Sequence, residues 1–338
     1  MQNKLKKKTE FSPEDISSLL KTHYAKLMAS FYETQSDFLS GIYRRYGSIE
    51  TANIILFFAR NRHLEIIRQK ERNLNFNISL NNFWDNFQNI PAESKKITSV
   101  VKCTAIPKET VRRKVKNLIK IDFLSNDKDN KGFYWNLTNK HRNDYIEIVN
   151  KEIKMFTRFL SEFANNLGLS LNHELIEEEI KLHFSFYWYH FLSCQLEWLK
   201  MFQIKLQDNE LLLIVLQAII PTLRYSDKKI SPNLSSENIF KIIGEIDHER
   251  NLSKTSISAS TIAQITGIPR ATCIRKLEKL VSFGFLMREE KSKKYFINQN
   301  TKDRTKNIVT KEVVSSTIGI FSSYISIILN SLIFNQRK

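Results

Sequence analysis

Glycine and proline are scarce in this 338-residue chain, with eight and six copies, which argues against a turn-rich β protein. Cysteine is scarcer still. Cys103, Cys194 and Cys273 are odd in number, widely spaced and form no CxxC pair. Neither a disulfide framework nor a cysteine-based metal site is indicated, and a reducing, cytoplasmic setting is expected. The chain also lacks a Gly-rich phosphate loop, a nucleophile elbow and a paired-carboxylate motif, so no enzymatic activity and no cofactor are expected. The N-terminus is basic through Lys8, but no apolar stretch follows it, so it does not read as a secretory signal.

Acidic residues are in deficit: 35 Asp and Glu face 52 Lys and Arg, a net charge of +17. Charge of that sign attracts polyanions without specifying a fold. Hydrophobic residues make up 42% of the chain, enough for two cored domains. Leu, Ile, Lys and Glu recur at helical spacing, which predicts a mainly α protein with short strands. Residues 1–11 read as a basic tail. Ser12-Pro13-Glu14-Asp15 then starts a helix, with a hydroxyl cap, Pro at the first position and acids facing the positive end of the dipole. Helices are predicted over 13–46 with a break, 48–72 and roughly 79–88.

Against this background the chain contains an internal repeat. Without a gap, residues 97–124 match 259–286, 162 positions later, at nine of 28 sites: Thr104/Thr266, Ile106/Ile268, Pro107/Pro269, Thr110/Thr272, Arg113/Arg275, Lys114/Lys276, Leu118/Leu280, Phe123/Phe285 and Leu124/Leu286. A fixed period is the first determinant of architecture. The same frame sets Ile54–Phe58 over Leu216–Ile220 and Phe133–Asn136 over Tyr295–Asn298. The shared unit then spans about 50–165 and 212–327. Each copy is preceded by a further helix, near 21–46 and 175–203, which aligns only with an indel of several residues. The halves meet near Asn165–Asn172, dividing the chain into 12–168 and 169–338.

Within each copy the order is helix, turn, helix, two-stranded hairpin. In the second, Ser258 or Ser260 caps a short helix, and Gly267 suits a turn with positive φ. Pro269 opens a helix whose Cys273, Leu277 and Leu280 share one face. Phe285-Leu286 enters a strand, Arg288–Lys294 is the hairpin tip and Tyr295–Ile297 returns. The first copy has Val111, Val115 and Leu118 on the core face and a tip at Asn126–Gly132. It departs at Ala105, which replaces the turn glycine at a small strain cost. This is the winged helix-turn-helix order.

Ile106-Pro-Lys-Glu-Thr-Val-Arg-Arg113 resembles the recognition helix of the catabolite-activator class, and Thr266–Thr272 is similar to the helix-turn-helix of IclR-type regulators. The wider layout resembles MarR-type regulators, with helices before the motif, a wing and a long C-terminal helix. The resemblance implies that the start of the second helix meets base edges in the major groove. Lys108, Glu109, Arg112 and Arg113 are the candidate base readers of the first copy, and Arg270 and Arg275 of the second. Arg pairs bidentately with guanine and Glu accepts from cytosine. Because Ala271 stands opposite Glu109 and Ile274 opposite Arg112, the halves should read different sequences. Thr110, Lys114, Lys116, Thr272, Lys276, Lys279, Lys291, Lys293 and Lys294 are candidate phosphate contacts, which position without specifying.

Two further features carry alternative readings. His183–Phe191, followed by Trp198, packs many aromatics into one helix. Tyr187, Trp188, His190 and Trp198 could line a pocket for an aromatic effector, or could simply form core. Glu179, His183 and His190 share a helix face, but an i, i+4 pair is a weak metal signal, and no metal is expected. Val313–Gln336 carries no charge and is long enough to span a bilayer. However, Ser315, Ser316, Ser322, Ser323, Ser326 and Asn330 gather on one side, which suits packing inside a protein, so no membrane association is expected.

The expectation is a fold of mainly α class with small β wings, two winged helix-turn-helix domains joined by a helical core into a single-chain pseudo-dimer. It would act as a monomer on double-stranded DNA at an asymmetric site, as a transcriptional regulator. The alternatives are a plasmid-type replication initiator with tandem winged helices and a protein-binding winged-helix scaffold.

Overall fold

A computed structural model of the chain describes residues 10–229, 235–236, 254–298 and 311–335. It is 74% helical, and among the described residues the strands form two antiparallel two-stranded sheets. The elements are α1 (Pro13–Thr22), α2 (Tyr24–Tyr46), α3 (Ile49–Arg72), α4 (Phe83–Asn89), α5 (Ile97–Thr104), α6 (Lys108–Lys120), β1 (Leu124–Asp127), β2 (Gly132–Trp135), α7 (Asn139–Asn166), α8 (His173–Leu182) and α9 (Phe184–Leu206), followed by α10 (Asn209–Lys229), α11 (Ala259–Thr266), α12 (Arg270–Ser282), β3 (Leu286–Arg288), β4 (Tyr295–Ile297) and α13 (Lys311–Asn335). The mainly α composition with small β elements is as expected. Residues 1–9 of the basic tail and Gln336 of the uncharged run lie outside the described residues.

Local chemistry accounts for the helix ends. Ser12 Oγ accepts from the Asp15 N–H at 3.3 Å and Asp15 Oδ2 from the Ser12 N–H at 2.8 Å, a reciprocal capping box. Ser258, not Ser260, caps α11 by accepting from the Thr261 N–H at 3.1 Å. The predicted break within 13–46 falls at His23 (φ −109°, ψ 40°). The single helix predicted over 175–203 is broken in the same way at His183 (φ −108°, ψ 37°), where the cap N–H turns back to the Glu179 carbonyl. Left-handed residues then end the following helices, Gly47 at φ 73° and Gln207 at φ 54°.

These paired boundaries correct the repeat register before the helix-turn-helix. Pro13, Tyr24 and Ile49 start helices whose counterparts start at His173, Phe184 and Asn209, all separated by one common interval. That interval is two positions shorter than the one relating the helix-turn-helix copies. Ile54 therefore corresponds to Ile214, not Leu216. In this shorter register Glu14/Glu174, Ile16/Ile176, His23/His183, Gln35/Gln195 and Glu50/Glu210 are identical.

By packing, the chain divides into two compact units that interleave in sequence. One comprises Met1–Phe11, Ile49–Gln207 and Tyr324–Lys338, the other Ser12–Ser48 and Asp208–Ser323. Sequence similarity instead divides the chain into consecutive repeats. In the first unit α9 packs along α3 and meets α5; in the second α2 packs along α10 and meets α11. Each helix-turn-helix is thus braced by the long helix that precedes the other one in sequence.

The core of the first unit is an aromatic cluster. His63 stacks on Phe83 at 4.7 Å between centroids, and Tyr145 lies against Phe83, Trp84 and Trp135. The Tyr145 hydroxyl receives the Trp188 indole N–H at 2.7 Å and lies 3.0 Å from His63 Nε2. Burial, with the neighbouring Arg62 charge, pushes the His63 pKa down to about 3, so the imidazole is neutral. In the second unit Phe31 packs on Phe321 at 3.9 Å, and Arg224 Nε donates to Glu33 at 2.8 Å.

Among the described residues α13 is the single helix that is by itself long and apolar enough to cross a membrane, with mean hydropathy 1.7, yet 61% of that window is buried. The expected polar side divides. Ser322 and Ser326 are buried, while Ser315, Ser316 and Ser323 face outward. Ser326 donates to the Phe11 carbonyl at 2.7 Å, and Asn330 both accepts from the Phe11 N–H at 2.8 Å and donates to its carbonyl at 3.0 Å. These bonds satisfy groups that would otherwise be costly to bury.

Candidate nucleic-acid interface

Both short helix pairs are built around one threonine. Thr104 Oγ1 donates to the Val100 carbonyl at 2.9 Å and accepts from the Ile106 N–H at 3.3 Å. Thr266 makes the equivalent bonds to Ile262 and Ile268, at 2.7 and 3.1 Å. Between them the turn residue is left-handed in both copies, Ala105 at φ 56° and Gly267 at φ 79°. The predicted strain at Ala105 is therefore present. Pro107 and Pro269 then lead into α6 and α12, which bury Val111, Val115 and Leu118 in one case and Cys273, Leu277 and Leu280 in the other.

The opposite faces carry the candidate readers. Lys108, Glu109, Arg112, Arg113 and Lys116 are exposed, as are Arg270, Ala271, Arg275 and Lys279. Glu109 and Arg112 form an ion pair at 2.6 Å within α6, and Arg270 Nε donates to Ser260 at 3.0 Å. Lys279 lies 5.7 Å from the Phe283 ring centroid. Arg113 and Arg275 occupy equivalent outward positions. Thr110 and Thr272 are half-buried on the helix flanks.

Lys114 and Lys276, also candidate phosphate contacts, are instead engaged within the fold. Lys114 Nζ lies 3.3 Å from Glu50 and donates to Thr51 at 3.0 Å. Lys276 Nζ lies 2.6 Å from Asp208 and 3.2 Å from Glu210, with its side chain only 10% exposed. Glu50 and Glu210 are equivalent in the shorter register, so the two lysines repeat one internal ion pair that ties the second helix of the motif to the start of α3 or α10. A cation held between carboxylates is neutralised and turned inward, away from solvent.

Each hairpin is joined on one side by a single antiparallel bridge, Lys95 to Phe133 and Ile257 to Tyr295, which anchors it two residues before the start of α5 or α11. A carboxylate folds each tip. Asp127 accepts from the Asn130 N–H at 3.1 Å, and its equivalent Glu289 accepts from the N–H groups of Lys291, at 2.9 Å, and Ser292. Hydrogen bonds, from Ser94 and Asn130 to Asp127 and from Ser292 and Lys291 to Glu289, hold both pKa values down at about 2. The tips differ in charge. The first has Lys128 and Lys131 against Asp127 and Asp129, a balance. The second has Arg288, Lys291, Lys293 and Lys294 against Glu289 and Glu290, an excess of base. Lys291 and Lys293 are exposed, and Lys294 is half-buried.

One residue missed by the sequence reading is Arg44, from α2. Its guanidinium donates to the Gln264 carbonyl at 2.9 Å and to that of Ile265, satisfying the C-terminal carbonyls of α11. A Cβ on Gly267 would meet Arg44 Cγ at 2.6 Å. Nothing local to α11 signals this partner, which belongs to the other copy of the repeat.

The four candidate effector residues do not converge. Trp188 is committed to Tyr145 inside the core. Trp198 is buried against Phe202, at 5.6 Å between centroids, and His190 lies half-buried beside Phe186 and Tyr189. The space between Tyr187, Trp188, Phe191 and Tyr324 is only about 10 Å³, too little for a ligand. Tyr187 alone of the four lines a larger opening, a groove of about 420 Å³ shared with His183 and Phe186. Glu179 and His183 approach to 3.6 Å, but His190 packs against Phe186 and Tyr189, and no cluster of three metal-ligating side chains occurs among the described residues. No family model, curated protein or solved structure matches this chain.

Proposed function

We propose that the chain is a sequence-specific double-stranded DNA-binding regulator carrying two unequal winged helix-turn-helix readers. The observation that carries this reading is the split between neighbouring repeated bases. Lys114 and Lys276 turn inward to an ion pair, while Arg113 and Arg275 stay exposed on the outer face of α6 and α12. The second pair is held by no ion pair among the described residues and stays open to an external anion. Arg in that position suits bidentate contact with guanine, and the basic tip at Lys291 and Lys293 suits phosphate. Glu109 and Arg112 have no acidic or basic counterparts at Ala271 and Ile274, so the preferred site is asymmetric. The three unpaired cysteines fit a reducing cytoplasmic setting.

The test is selection of bound sequences from a random duplex pool, followed by a salt titration of the winner. The reading requires an asymmetric consensus and an affinity that falls log-linearly with salt. A folded chain with no duplex affinity at low salt would overturn it.

A further inference from the structure

The two candidate reading helices differ in how their first residue is held. Arg270 opens α12, and its Nε donates to Ser260 Oγ at 3.0 Å. Ser260 belongs to α11, so this bond joins the two helices of the motif near their N-terminal ends. It is not needed as a cap, because Ser258 already accepts from the Thr261 N–H. Ser260 and Arg270 are both exposed. With Nε engaged, the guanidinium still carries its two terminal Nη groups, a planar fork of donors for an outside acceptor.

The backbone beneath Arg270 is tied down as well. Thr266 Oγ1 accepts from the Ile268 N–H, Cys273 Sγ donates to the Ile268 carbonyl at 3.4 Å, and Arg44 holds the end of α11. The first copy keeps the threonine, as Thr104, but not the rest. Val111 stands in place of Cys273 and has no donor. In the register of the preceding helices Ile204 stands in place of Arg44. Lys108 and Thr98 stand where Arg270 and Ser260 do, and no bond joins them among the described residues. The difference has a chemical consequence. A lysine ammonium is a point charge on a flexible stem, whereas a held guanidinium presents two donors in one plane. Guanine offers O6 and N7 as the matching pair of acceptors. A side chain already ordered in the free protein also surrenders less rotamer freedom on binding.

We propose that Ser260 is a positioning residue for base recognition, presetting Arg270 so that its Nη fork reads a guanine in the second half-site. The proposal rests on the DNA-binding reading above and names the base and the half-site that this arginine serves.

Sequence selection and affinity measurements on the full chain test it. Arg270→Ala should erase the guanine preference at one position of the second half-site, which identifies the base this side chain meets. Ser260→Ala should lower the preference at that same position by about three- to tenfold, the worth of one hydrogen bond. Affinity for a random duplex, and its salt slope, should stay unchanged; a serine that merely supported the fold would move every sequence alike. Ser260→Thr keeps the hydroxyl and should retain the preference, and Thr98→Ala should leave the first half-site as it was. In the free protein, the Arg270 Nε–H resonance, identified by its loss in Arg270→Ala, should exchange faster with solvent in Ser260→Ala. A guanine preference and an Nε–H exchange rate that both survive Ser260→Ala overturn the positioning role and leave the DNA-binding reading standing. So does an Arg270→Ala chain that binds all sequences uniformly more weakly, which would assign Arg270 to phosphate. A folded wild-type chain that binds no duplex overturns both.

Discussion

Replacing Lys276 by Met separates an internal ion pair from a phosphate contact. Met keeps much of the aliphatic length but deletes the ammonium that sits 2.6 Å from Asp208 and 3.2 Å from Glu210. Two carboxylates, each 20% exposed, are then left facing one another. Removing one partner of a buried pair typically costs about 3–5 kcal/mol, and the residual solvent access here brings the expectation to about 3 kcal/mol. Chemical denaturation followed by circular dichroism reads this as a lower midpoint with little change in slope. Adding Asp208→Asn and Glu210→Gln should restore much of the loss, because the stranded charges are then gone. Lys114→Met should cost less, about 1 kcal/mol, since Glu50 lies 3.3 Å away and is 31% exposed. If Lys276→Met leaves stability unchanged and instead lowers the salt dependence of DNA binding by about one ion, the ion-pair assignment is wrong.

Four further outcomes follow from the same geometry. His63 has a folded pKa of about 3 against about 6.5 when unfolded. Its contribution is complete above pH 6.5 and is lost as pH falls from there towards 3, at up to about 1.4 kcal/mol per pH unit; His63→Phe should flatten that slope in denaturation series between pH 7.5 and 4.5. Gly267→Ala forces a side chain into φ 79° and against Arg44, and should lower thermal stability by about 1 kcal/mol or more, whereas Ala105→Gly, at φ 56°, should be neutral or stabilising. Arg113→Ala or Arg275→Ala should each weaken DNA binding by about 1–3 kcal/mol and relax the consensus in one half only, which repeated sequence selection would detect. Joint replacement of Lys291 and Lys293 by Ala should reduce the salt slope by about 2, while the same change at Lys128 and Lys131 should leave it nearly unaltered.

Features whose cause is local were legible in the sequence. The Ser12 cap, the Gly267 turn, the strain at Ala105 and the buried stripes of α6 and α12 all depend on residues within a few positions of one another, where spacing is informative. The outward placement of Arg112 and Arg113 was legible in the same way, because a helix periodicity that identifies Val111, Val115 and Leu118 as inward also identifies these two as outward. Lys114 and Lys276 are different. They lie at the boundary of the stripe, and periodicity cannot tell a flanking lysine that reaches solvent from one that bends back to a carboxylate. The aromatic run in α9 left pocket and core both open for a related reason: Trp188, His190 and Trp198 lie on one helix but meet different neighbours.

The sequence by itself determined the duplication, the helix-turn-helix-hairpin order and the chemical inequality of the outward faces of α6 and α12, since each rests on pattern and local backbone preference. Only the tertiary structure decided which long helix braces which motif, pairing α9 with α3 and α2 with α10. Apolar stripes are interchangeable as sequence patterns, and what selects a partner is the full set of packed contacts. The same holds for charge. Glu50 and Glu210 stand in plain view at equivalent places in the two copies. A carboxylate acquires a role only when the fold brings a lysine from much further along the chain against it, at 3.3 Å for Lys114 and 3.2 Å for Lys276.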